Sequence, residues 1–285
     1  MSSVAEPVSI VAAYRFVDLP DAEALRASLF DSARAAGLKG TLLIAHEGIN
    51  FTLAGAPQAM QRWLDALMAD TRFAGLPLKR HRGEGMPFQR LKVKLKREII
   101  RMNEPAIRPA AGRAPSVDAV TLARWLTQGH CDAGRPVVLL DTRNGFEVDA
   151  GAFQNTLDWR LERFSDFPAA LQAHRDALQG KTVVSYCTGG IRCEKAALWM
   201  AQQGVPHVHQ LEGGILRYFE ALPDAPHWQG RCFVFDEREG LGPPEAPAGR
   251  QGQQGATGAD GADAADGAEG ATEVADRSPD RTETA

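Results

Sequence analysis

Ser185-Tyr-Cys-Thr-Gly-Gly-Ile-Arg-Cys-Glu-Lys195 is the stretch around which this 285-residue chain is organised. Ahead of it, Lys181-Thr-Val-Val-Ser185 is short and β-branched, the pattern of a buried strand. Behind it, Glu194 to Gln203 is rich in helix formers and stops at Gly204, a favoured residue past a helix end. Cys187 therefore stands where a strand hands over to a helix. Gly189 and Gly190 permit backbone turns that a Cβ resists. Such turns can aim consecutive N–H groups inward as a concave anion nest, reinforced by the positive end of the helix. A cysteine at that point is expected to have a lowered pKa and to exist largely as thiolate. Arg192, five positions on, closes the loop and adds a fixed charge. A buried structural cysteine beside a tight turn would explain Cys187-Thr-Gly-Gly190 alone; the flanking strand, Arg192 and the helix argue against it.

A cysteine, four residues and an arginine between strand and helix resembles the loop of the rhodanese superfamily. The surrounding chain fits that fold. Pro136-Val-Val-Leu-Leu140 is a buried parallel-type strand ending in Asp141-Thr-Arg143, with Glu147 at the start of a short helical stretch. The resembling run of rhodanese domains lies at the C-terminal edge of the sheet. A buried Asp141 needs a partner, and Arg143 can supply it. Both are expected to organise the loops rather than to react. Ser116 can cap a helix over 117–128, with Trp125 and Leu126 inward. Residues 168–179 read as a helix and 205–211 as a strand. Glu212-Gly-Gly-Ile-Leu216 turns into a last helix. Arg160 and Arg163 read as surface residues. Alternating strands and helices imply a doubly wound parallel sheet, with the ligand site beyond the strand C-termini, where Cys187 falls.

Upstream, residues 8–17 read as a strand, 21–36 as a helix, 40–45 and 51–54 as strands around a turn-like His46-Glu-Gly-Ile-Asn50. Pro57 opens a helix with Met60, Trp63, Leu64, Leu67 and Met68 on one stripe. Two further strand-like segments cover 76–81 and 89–99. That order is the ferredoxin-like split βαβ pattern. The expected organisation is an α/β chain. A ferredoxin-like α+β domain spans 6–100, a proline-marked linker 101–115, a rhodanese domain 116–240 and an acidic tail 241–285.

The tail carries nine Asp/Glu against three Arg and almost no branched aliphatic residue, so it is expected to be disordered. It hides a body that is net +2 within a chain of net charge −4. Lys92, Lys94, Lys96 and Arg97 belong to a basic cluster, with ten Lys/Arg against three Asp/Glu between Lys79 and Arg108. Such a strand is either a solvated edge kept from aggregating or a surface for RNA phosphates. Leu91, Val93 and Leu95 are expected to point together to the other side.

Four scattered cysteines, without CxxC spacing, do not make a disulfide framework and suit a reducing cytoplasm. No structural metal is expected; His207 and His209 alternate on a strand without a third ligand nearby in sequence. No apolar run is long enough to span a bilayer, and Met1 to Pro7 has no signal-peptide pattern.

Tyr186 to Ala196, Gln210-Leu-Glu-Gly-Gly-Ile-Leu216, Gly230-Arg-Cys-Phe-Val-Phe-Asp236, Asp141-Thr-Arg143 and Glu47-Gly-Ile-Asn50 together resemble the oxygen-dependent tRNA uridine hydroxylases. These carry a rhodanese domain behind a ferredoxin-like one. The resemblance implies hydroxylation of the wobble uridine at C5 to 5-hydroxyuridine. It implies O₂ as co-substrate, the tRNA anticodon loop as partner and Cys187 as the essential cysteine. The sequence has no flavin, haem or iron motif and names no electron donor. Two chemistries remain open. Cys187 can add to C6 of a flipped-out uridine, making C5 enolate-like, with Thr188, Gly189, Gly190, Ile191 and Arg192 stabilising the charge. Alternatively, Cys187 is first oxidised to a sulfenic species that Cys193 can resolve, although Cys193 equally reads as a small packed residue. The rivals are a thiosulfate-type sulfurtransferase carrying a persulfide on Cys187, a non-catalytic RNA-binding module and, more remotely, a phosphatase. The first leaves the N-terminal domain unexplained; the second has no need of an activated thiol.

Overall fold

The computed structural model describes residues 7–234 and Gly242; the sequence before and after, including the acidic tail, lies outside the described residues. Two five-stranded sheets and a two-stranded one belong to one compact unit. In the first, β1 (Pro7–Phe16), α1 (Ala22–Ala35), β2 (Lys39–Ala45), β3 (Gly48–Gly55), α2 (Pro57–Ala69), β4 (Lys79–Glu84) and β5 (Leu91–Leu95) follow in order. The strands lie β4-β1-β3-β2-β5. The first four make the ferredoxin-like antiparallel arrangement, and β5 adds a fifth strand parallel to β2. The turn between β2 and β3 is tighter than expected, with only His46 and Glu47 outside the strands.

Strand parity sorts β1 onto two layers. Val11 and Ala13 pack with the helices, where Met60, Trp63, Leu64 and Leu67 of α2 supply the apolar stripe. Val8 and Ile10 face the other way, under Met86 and Phe88. Tyr14 shares the parity of Val8 and Ile10, and this is the face that meets the second domain.

Residues 101–115 are pinned rather than free: Met102, Ile107 and Pro109 are buried. Ser116–Val117 then forms β6 instead of opening a helix. The cap is Asp118, whose carboxylate accepts from Thr121 N at 2.9 Å and from its hydroxyl at 2.8 Å, so α3 runs Ala119–Gln128. The reason is tertiary: Ser116 and Val117 pair in parallel with the strand β11 described below.

Next come β7 (Val137–Asp141), α4 (Gly145–Ala150), β8 (Gly151–Phe153), β9 (Leu157–Asp158) and α5 (Phe167–His174). A 3-10 turn at Arg175–Leu178 ends the helix expected to reach 179. The chain continues through β10 (Thr182–Tyr186), α6 (Ile191–Gln202), β11 (Val208–Leu211), α7 (Gly214–Ala221) and β12 (Trp228–Gly230). The sheet β6-β11-β10-β7-β9 is parallel throughout and doubly wound. Val184 and Tyr186 pack with α3 and α7 on one face, while Val183 packs with α5 and α6 on the other. Phe153 meets Tyr186, Tyr218 and Trp228 edge to face at about 5 Å each, closing the core beneath β8 and β12. No helix among the described residues is long and apolar enough to cross a membrane.

Candidate active site

Every residue of β10 is buried, and the strand sits between β7 and β11. Its C-terminal end delivers Cys187 into a loop that closes at Gly190, whose φ of 99° is left-handed and caps α6. Helix α6 begins at Ile191, three residues before the sequence-based start, so Arg192 and Cys193 lie in its first turn. Gly189 does not take a left-handed φ; its missing Cβ matters because that atom would stand 3.1 Å from Lys79 Nζ.

The loop is shaped by where its carbonyls go. Cys187 O accepts from Ile215 N at 3.0 Å and Thr188 O from Leu216 N at 3.1 Å, both at the N-terminus of α7. Gly189 O accepts from Lys79 Nζ, which also donates to Gly213 O at 2.7 Å. With three successive carbonyls turned outward, the amides turn inward. Gly190 N donates to Cys187 Sγ at 3.1 Å. Gly214 must be glycine: its φ is +66°, and a Cβ would lie 2.3 Å from Cys187 O.

Cys187 is fully buried, and burial alone opposes its thiolate. The opposing influences prevail: a hydrogen bond from Cys193, the Arg192 charge, and the amides of Arg192 and Cys193 hold its pKa well below the ordinary thiol value. Cys193 goes the other way. Burial and the neighbouring Cys187 anion push its thiol well up, so it is the proton donor of the pair. Its sulfur also lies 3.6 Å from Thr142 Oγ1. All four cysteines are free.

Arg192 is not the open charge expected from the sequence. Its guanidinium is clamped to Glu147, with Nη1–Oε2 at 2.5 Å and Nη2–Oε1 at 2.8 Å. Glu147 is wholly buried and also accepts from Asn144 N at 3.1 Å, so one carboxylate caps α4 and seats the loop arginine. Thr188 Oγ1 reaches the same carboxylate at 3.4 Å. Below it, Asp141 and Arg143 form a completely buried pair; Arg143 further donates to the carbonyls of Glu147 and Gly151. Thus Asp141 and Arg143 hold the backbone around Glu147, and Glu147 holds Arg192.

The first domain contributes a layer that sequence reasoning missed. Tyr14 Oη donates to Glu194 Oε1 at 2.7 Å, and Arg113 Nη2 reaches the same oxygen at 2.9 Å. Lys195, 1% exposed, donates to Glu47 at 2.9 Å, Glu98 at 2.7 Å and Ile100 O at 3.0 Å. Glu47 opens the Glu47-Gly-Ile-Asn50 run, and Asn50 Nδ2 holds Ile99 O at 3.1 Å. Lys79 entered the sequence analysis only as one member of a basic cluster.

Lys92 and Lys94 lie on the edge strand β5, with Lys96 and Arg97 just past its end. Lys94, Lys96 and Arg97 are exposed. Val93 is buried as expected, but Leu95, the last residue of the edge strand, is 41% exposed. Leu95 lies in a shallow open groove with Arg26, Lys94 and Lys96. Arg160 is on the surface, bound to Asp149 and Asp158. No group of three or more possible metal ligands occurs among the described residues.

The family models of the UPF0176 acylphosphatase-like domain and the rhodanese-like domain match residues 8–99 and 122–221. A relative from Bordetella petrii is 60% identical over 239 residues, which is 84% of this chain and 94% of the relative. One from Delftia acidovorans is 60% identical over 232 residues, 81% of this chain and 88% of the relative. One from Burkholderia mallei is 54% identical over 241 residues, 83% and 80% respectively. All three are named tRNA uridine(34) hydroxylase. With both domains and the intervening chain matched at that identity, this chain belongs to the tRNA uridine(34) hydroxylase family.

Proposed function

We propose that this chain is an enzyme that hydroxylates the wobble uridine of tRNA at C5, with the Cys187 thiolate as the reacting group. The near full-length identity to relatives named for that activity carries the reading. The site supports it chemically. A thiolate held by amides can add to C6 of a uracil ring, which moves the electron pair to C5 and the O4 carbonyl. That enolate is the nucleophile toward oxygen. Overall, C5–H becomes C5–OH. One atom of O₂ enters the base and the other leaves as water, taking two electrons and two protons from an external reductant. Loss of the C5 proton and of the thiolate from C6 restores the ring.

Arg192 is committed to Glu147, so the loop lacks the free arginine that a sulfurtransferase or phosphatase would turn to an anionic substrate. Cys187 has no exposed surface, with Tyr14, Lys79 and the Gly213–Gly214 turn against its loop. A uridine reaches it only when that cover moves. The wobble base lies in a single-stranded loop and is cheap to extrude. Lys96 and Arg97 directly precede Glu98, which is paired with Lys195 of α6. This supports counting Lys92, Lys94, Lys96 and Arg97 as phosphate contacts for the anticodon stem.

The test is growth of cells expressing the chain under ¹⁸O₂, followed by mass spectrometry of tRNA nucleosides. One ¹⁸O atom per 5-hydroxyuridine is expected. A product carrying only water-derived oxygen would overturn the reading.

A further inference from the structure

Lys79 is the first residue of β4, in the first sheet, yet its ammonium sits in the loop of the second domain. Among the described residues it pairs with no carboxylate; it donates to the carbonyl oxygens of Gly189 and Gly213. Gly189 O and Gly190 N–H belong to one planar peptide and point in opposite directions. Whatever grips the carbonyl therefore aims the N–H. That N–H is the donor 3.1 Å from Cys187 Sγ. The two preceding carbonyls are held by α7 from within the rhodanese domain; the third is held from outside it.

We propose that Lys79 is a positioning residue for Cys187: it fixes the Gly189–Gly190 peptide so that its N–H faces the sulfur, and its charge favours the thiolate. The reacting group of the second domain is thus completed by the first. This rests on Cys187 being the reacting thiolate. The ammonium is buried among few charges. Burial brings the Lys79 pKa down to about 8, resisted first by the Cys187 anion and then by Glu220; Cys193 and Cys232, the other titratable groups that face it, keep their protons there because burial pushes both thiols up. Between the lowered pKa of Cys187 and about pH 8, ammonium and thiolate coexist and stabilise each other.

The experiment is a pH titration of thiolate ultraviolet absorbance on the full chain, taken as the difference from a Cys187→Ser counterpart. It requires neither tRNA nor access of a reagent to the buried sulfur. In Lys79→Met the Cys187 midpoint is expected to rise by about one pH unit or more, since a nearby opposite charge moves a pKa by roughly one to three units. On the acid side of the midpoint that is about a tenfold loss of thiolate. Lys79→Arg keeps the charge, and its midpoint should lie between those of the parent and Lys79→Met. Lys79→Gln can hold the carbonyls without charge, and its midpoint should lie above that of Lys79→Arg. A folded Lys79→Met with the parent midpoint, even at a lowered melting temperature, would overturn the proposal. Should Lys79→Met fail to fold, identical midpoints for the Arg and Gln variants would do the same. A parent chain whose Cys187 titrates at the ordinary thiol value would instead overturn the assignment of Cys187 itself.

Discussion

A thiol with no exposed surface ordinarily titrates high, because burial penalises its anion. Cys187 runs against that rule because the donors and the cation close to its sulfur outweigh burial. Gly190 N, the Arg192 and Cys193 amides, the Cys193 thiol and Arg192 all favour the anion. Cys193 pays for this with a raised pKa of its own. The two titrations that bracket function therefore have opposite senses. With Cys187 proposed to react as its thiolate, kcat/KM should rise through a pKa well below the ordinary thiol value. With protonated Lys79 proposed to position and favour that thiolate, kcat/KM should fall partway as pH rises through about 8. A pH–rate profile checks both limbs, and in Lys79→Met the upper limb should vanish while the lower one moves up. A flat profile across pH 8 in the parent would contradict the role of Lys79.

Two helix N-termini, those of α6 and α7, converge on a loop only four residues long, and each is entered through left-handed glycine. Gly214→Ala would drive a methyl into Cys187 O, Thr188 O and Gly190 N. We expect it to cost about 2 kcal/mol or more in unfolding free energy and to abolish hydroxylation, whereas Gly180→Ala, also at a left-handed φ but with nothing near its Cβ, should cost about 1 kcal/mol and keep activity. Denaturant titration with an activity assay separates the two. At the sheet edge, β5 predicts a different signature. Lys94, Lys96 and Arg97 changed together to Gln should weaken tRNA binding at low salt. They should also flatten the dependence of log K on log salt by about 0.7 to 0.9 for each phosphate contact removed. An unchanged slope would make this strand a solvated edge. Element types were legible here where period and turn residues agree, as in α2, β10 and α7. Boundaries failed where partners decide. Ser116 and Asp118 are both good caps, and only pairing of Ser116–Val117 with β11 selects Asp118.

The molecule works as one unit because ion pairs cross between its domains. Lys195 ties α6 to Glu47 and Glu98, and Tyr14 with Arg113 ties Glu194. Burial raises the pKa of Glu98, but Lys195 and the amides of Met102 and Asn103 outweigh it, and the net shift is downward. The clamp is therefore complete above the ordinary glutamate pKa and is lost as pH falls through the lowered one. Lys195→Met strands two carboxylates and should cost about 3 kcal/mol, toward the low end for a broken buried pair because both glutamates are partly exposed. It should also blunt the acid dependence of stability. Chemical denaturation across pH measures both. The strand–loop–helix geometry around Cys187 was readable from one short run, because strand, glycines, arginine and helix are contiguous. The clamp was not, because it joins residues 81 to 180 positions apart, and neither period nor motif records which surfaces meet. Glu47-Gly-Ile-Asn50 could be matched but not explained until Lys195 stood beside it. The measurement to make first is nucleoside mass spectrometry of tRNA from aerated cells lacking this gene, complemented by the parent chain or by Cys187→Ala. Return of 5-hydroxyuridine with the parent alone is the predicted result. Its return with Cys187→Ala, or its absence with the parent, would contradict a tRNA hydroxylase working through Cys187.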